Sequence, residues 1–97
     1  MTFDFHPEAE AEFEAAIIFY EDHAVGLGLD FAAEVREAIG LAVSMPLAWT
    51  QIEPGIRRVL THRFPFAILY AENGKRLFVL AVMHLRREPD YWLHRTA

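Results

Sequence analysis

A chain of 97 residues with no cysteine, 54% hydrophobic residues and a net charge of −5 is neither a disulfide-stapled scaffold nor a thiolate enzyme. No apolar run approaches the ~20 residues a membrane-spanning helix needs, and the acidic start MTFDFHPEAEAE lacks the basic region of a signal peptide. The expectation is a single domain over residues 1–97, located in the cytoplasm, with a core that needs no staples: a chain of this size buries about 60–70% of its unfolded surface.

TFDFH alternates apolar and polar residues and predicts a first strand. Pro7 suits the first position of a helix, and Glu8, Glu10, Glu12 and Glu14 favour the positive end of its dipole. Ala9, Phe13, Ala16, Ile17, Tyr20 and Ala24 make one apolar stripe. The GLG at 26–28 breaks that helix, and a second starts near Leu29, with Phe31, Val35, Ala38, Ile39 and Ala42 on its inner side. Pro46 ends it. So short a break predicts an antiparallel helical hairpin. Ile18, Phe19 and Leu41 fall outside the inner stripes and are candidate contacts for a partner helix.

Residues 46–56 form a connection, with room for a short strand at 49–52. From Arg57 the period changes to two: RRVLTHR, FPFAILYA and KRLFVLAVMHL read as strands, the last two joined by an Asn73-Gly74 hairpin turn. The last strand is apolar on both faces, so it should be central, flanked by the preceding strand and the N-terminal one. Pro89 opens a short terminal turn, PDYWLHR. The fold class is α+β, in the order β-α-α-β-β-β: a helical hairpin packed on an antiparallel sheet.

Charge divides the chain. Residues 1–56 hold eleven acids and one base, a balance of −10, and residues 57–97 hold eight bases and three acids, a balance of +5. Either the two halves attract one another within the fold, or the basic half meets nucleic acid or an acidic protein. Strict alternation puts His84 and Arg86 on the face of Phe78, Leu80 and Val82, with Ala81, Met83 and Arg87 opposite. Turned away from the helices, Arg58, Arg63, His84, Arg86, Arg87, Tyr91, Trp92 and Arg95 would form a basic, aromatic contact surface. Alternatively, Trp92 folds back as a lid over Phe78 and Val82. His6, His23, His62, His84 and His94 show no i, i+4 ligand pair, so neither metal nor other cofactor is expected.

The segment RRVLTHRFPFAILYAENGKRLFVLAVMHLRREPDYWLHR resembles the C-terminal half of the RelE/ParE superfamily of bacterial type II toxins. The likeness rests on Arg63-Phe64-Pro65-Phe66, Tyr70, Ala81-Val82, His84, Arg86-Arg87, Pro89, Tyr91-Trp92 and Arg95, and more loosely on Phe5, Ala9-Glu10, Tyr20, Gly28, Phe31 and Pro46. It implies a toxin silenced by a cognate antitoxin. ParE-like members, the plasmid-stabilisation type, act on DNA gyrase, and RelE-like members cut mRNA on the ribosome. The RelE-like pattern has an arginine where Ala67 stands and a lysine pair where Arg58 and Leu60 stand. The resemblance therefore implies a ParE-like, non-enzymatic inhibitor. The alternatives are a ribonuclease using His84, Arg86 and Tyr91, and a relative without toxicity that only binds its partner. A net charge of −5 also opposes binding to phosphate-rich ribosomes.

Overall fold

The computed structural model describes residues 2–96. A first strand, β1 (Thr2–Phe5), leads into α1 (Pro7–His23) and α2 (Leu27–Ser44). Four strands follow: β2 (Thr50–Glu53), β3 (Ile56–Leu60), β4 (Phe66–Glu72) and β5 (Arg76–His84). A short 3-10 helix over Leu93–Thr96 completes the described chain. The sheet order is β1-β5-β4-β3-β2, so β5 has a neighbour on each side, as its two apolar faces require. The sheet is mixed rather than wholly antiparallel, because β1 runs parallel to β5. Hairpin-length connections make the other pairs antiparallel, whereas β1 and β5 are joined through the whole intervening chain and escape that constraint.

Local chemistry sets the helix boundaries. His6 caps α1, its Nδ1 accepting the Glu8 N–H at 3.0 Å, and Pro7 takes the first helical position. The second helix starts two residues before the expected Leu29. Its cap comes from the neighbouring helix: the Glu21 carboxylate accepts the N–H groups of Gly26 and Gly28 at 2.8 and 3.0 Å. At Gly28 the helices touch, and a Cβ there would collide with the Ile17 carbonyl oxygen.

The sheet has a buried cluster on each face. Toward the helices lie Phe13, Phe31, Val35, Ile39, Val59, Phe66, Ile68, Tyr70, Val79 and Val82. The far face gathers Ile56, Ala67, Leu69, Leu80, Ala81 and Met83 under Trp92. A bulge in β5 sorts these residues. Tyr70 pairs with Val79 and Leu69 with Ala81, so Leu80 is the extra residue and alternation shifts by one. Strict alternation therefore fails beyond Val79. Val82 turns to the helices, and so does His84, whose ring lies 5.1 Å from that of Phe66.

Candidate functional site

The end of the sheet is built around the point where β1 stops. The N–H of His6 makes the last bond along that edge, to the Val79 carbonyl at 2.9 Å. Beyond it side chains replace the missing strand. Glu12 of α1 accepts the Val82 N–H at 3.1 Å, and Arg95 donates Nη1–H to the Leu80 carbonyl at 3.0 Å. The two side chains also grip each other, with Nη1 to Oε1 at 2.8 Å and Nη2 to Oε2 at 3.1 Å. Such a fork-to-fork pair is the strongest charged hydrogen-bond geometry a protein uses. Arg95 reaches Glu8 as well, through Nε at 2.9 Å, and Tyr91 donates its hydroxyl to Glu12 at 2.6 Å. His94 meets the same Glu8 oxygen at 2.6 Å, and that hydrogen bond is the main cause that holds the Glu8 carboxyl below its ordinary value. Burial first, and then the bond to Glu12, push the Tyr91 phenol well above its ordinary range.

This arrangement corrects the expectation of one solvent-facing corner. Arg95 is only 8% exposed and Trp92 only 2%. Trp92 lies over Leu80, Ala81 and Met83 rather than over Val82, because the bulge sends Val82 to the other face. Its indole Nε1 is buried without a hydrogen-bond partner among the described residues. Tyr91 is half-buried and fixed by Glu12. Tyr91 and Arg95 of the closing motif thus fasten the C-terminal segment to α1, and Trp92 seals it against the far face of the sheet.

The other candidates are spread over the molecule. Arg87 stacks on the Tyr91 ring at 3.9 Å, and Arg86 is exposed beside it. Arg63 is exposed and faces Asp30 at 3.4 Å. Arg58 is half-buried on the far face of β3, and His84 lies on the helix side of β5. The expectation that both share one surface therefore fails. His84 Nδ1 accepts the Arg86 N–H at 3.0 Å, which leaves Nε2 to carry the proton of the neutral ring.

Ile18, Phe19 and Leu41 are exposed, and Phe19 and Leu41 border different hollows. Phe19 borders a hollow with Ala15, Ala16, Tyr20, Phe66 and His84. Leu41 borders another with Trp49, Arg58, Leu60 and His62. A concavity of about 580 Å³ was not apparent from the sequence. Phe3 and Phe5 of β1, Phe13 and Ile17 of α1, and Ile39 and Val43 of α2 line it, together with Glu10, Glu14 and Arg36. Phe3 and Phe13 belong to visible apolar patterns, but the groove exists only because β1 lies beside the hairpin. Among the described residues no group of His, Asp or Glu is placed to hold a metal ion. Among the described residues no helix is long and apolar enough to cross a membrane.

No protein-family model and no curated protein matches the sequence. Among solved structures, one similar chain belongs to the "Chromosomal ParDE TA system from P. aeruginosa". The likeness has a TM-score of 0.72 at 21% identity and covers 89% of this chain and 97% of that one. Two helices laid on a mixed five-stranded sheet thus give this protein a ParE/RelE-like α+β fold.

Proposed function

We propose that the protein is the toxin of a type II toxin–antitoxin system, a ParE-like growth inhibitor that binds DNA gyrase and is held silent by a cognate antitoxin. The observation that carries this reading is the fold shared with a ParDE-system chain along nearly the full length of both. Residue placement favours a binding protein over a ribonuclease. Ala67 is fully buried where a RelE-like enzyme has an arginine, and Leu60 stands where a lysine is expected. The Tyr91 hydroxyl is committed to Glu12, and His84 and Arg58 face opposite sides of the sheet. Exposed Arg86 and Arg87 are then the cations of this end available to a target.

The apolar groove between β1 and the hairpin suits the antitoxin. Six aliphatic and aromatic side chains with Glu10 and Glu14 beside them match an amphipathic helix that carries basic residues. Induced expression should stop growth and lower DNA content before protein synthesis, and co-expression of the antitoxin should restore both. Purified protein should inhibit gyrase supercoiling at micromolar concentration. Cuts in translated mRNA that disappear in His84→Ala would instead identify a ribonuclease. Normal growth during expression would identify a partner-binding relative without toxicity.

A further inference from the structure

The two edges of the sheet are built differently. At one edge, β2 carries a bulge between Gln51 and Glu53 and runs into Pro54, both devices that keep an edge from pairing with another strand. At the other edge, β1 has neither bulge nor proline. The His6 N–H bonds inward to the Val79 carbonyl. Alternate residues of a strand direct their backbone groups to opposite sides, so Asp4 also bonds toward β5, and the N–H and C=O groups of Phe3 and Phe5 point away from the sheet. Thr2, Phe3 and Asp4 are exposed, Phe3 to 42%, so this edge lies open among the described residues. The side chains divide between the two faces. Phe3 and Phe5 meet edge to face at 5.7 Å on the helix side, and Asp4 pairs with Arg76 of β5 on the other.

We propose that β1 is the contact between two copies of this chain, paired antiparallel about a two-fold axis at Asp4, so that their two five-stranded sheets become one. The axis sets Phe3 opposite Phe5 of the other copy. Both residues turn their backbone groups outward, so each Phe3 exchanges N–H···O bonds with that Phe5. The same symmetry brings the phenyl rings of both copies together on the helix side, as cross-strand aromatic pairs. The open groove beside β1 leaves the room on that side that a second sheet needs. Charge favours a second copy over a foreign strand. Asp4 would face Asp4 across the axis, a repulsive pair unless cations attend it. Each copy brings its own cation, since Arg76 holds Asp4. The strip thus carries one acid and one base per copy, complementary to itself and indifferent to a ligand of single sign. The four-residue length of β1 sets the strength. So small an interface falls below about 1,200 Å², the range of weak and transient complexes. The pairing does not rest on the toxin reading.

Sedimentation equilibrium of the full chain tests this. The parent should be in monomer–dimer exchange with a dissociation constant on the order of 100 μM, as suits so small an interface. Phe3→Pro should abolish the dimer. It removes the outward N–H, which no bond to β5 uses, and an edge strand tolerates proline at such a position. Phe3→Ala keeps that N–H but loses the ring, and should weaken the dimer about threefold to tenfold. Arg76→Ala leaves the facing Asp4 carboxylates without their cations and should weaken it as well. Hydrogen exchange of the parent, followed by NMR, needs no variant to fold. Raising the concentration through the dissociation constant should slow exchange at the Phe3 and Phe5 amides and leave the β2 amides unchanged. The proposal is overturned by a chain that stays monomeric at millimolar concentration, by a dimer that survives Phe3→Pro, or by new protection at β2 instead of β1.

Discussion

Tyr91 and Glu12 show how much a single side chain settles at the end of this sheet. Tyr91→Phe removes one hydrogen bond to a carboxylate and should cost about 1–3 kcal/mol in urea denaturation at neutral pH. Its pH dependence has a definite sign. The phenol is raised above its ordinary 10.0 in the folded state, so above that pH the unfolded chain gives up a proton that the folded chain keeps. Stability therefore falls as pH rises beyond about 10, and Tyr91→Phe should fall less steeply than the parent. Glu12→Ala should cost about 3–5 kcal/mol, because it leaves the buried Arg95 guanidinium largely uncompensated. The closing motif made Arg95 and Tyr91 conspicuous in the sequence, but not their inward direction. Four glutamates alternate along the start of α1. Only the structure shows that Glu8 and Glu12 serve Arg95 while Glu10 and Glu14 line the groove.

At the level of elements, periodicity exposed both helices, the three long strands and the Asn73-Gly74 turn, because each repeats its pattern over several residues. It could not expose the β5 bulge. One extra residue leaves no mark in a run as uniformly apolar as LFVLAVM, yet it decides which side Val82 and His84 face. It also left the start of α2 unmarked, since the capping Glu21 belongs to α1. Gly28→Ala tests that junction directly. The methyl would strike the Ile17 carbonyl and should cost about 1–3 kcal/mol by overpacking, read as a lowered melting temperature with the sheet intact by circular dichroism. A double variant, Glu12→Leu with Arg95→Met, tests whether the ion pair also replaces a strand. A buried pair that served only itself would be exchanged for apolar residues at little cost. Here the Val82 N–H and Leu80 carbonyl would both lose partners, so a deficit of about 1–3 kcal/mol should persist.

For the molecule as a whole, the charge asymmetry of the sequence resolves into internal contacts. All four arginine–carboxylate ion pairs among the described residues join an acid before residue 57 to a base after it. That pairing was one of two readings of the composition, and it removes Arg95 from the cations available to a partner. Arg86 and Arg87 stay exposed at the exit of β5. The tie between Glu12 and Arg95 has a temporal consequence. A ribosome makes α1 well before the arginine that secures it. Nascent chains stopped before Tyr91 would display Leu80, Ala81 and Met83 uncovered, as greasy intermediates that chaperones or proteases would intercept. Only a chain read through Arg95 closes over its own sheet.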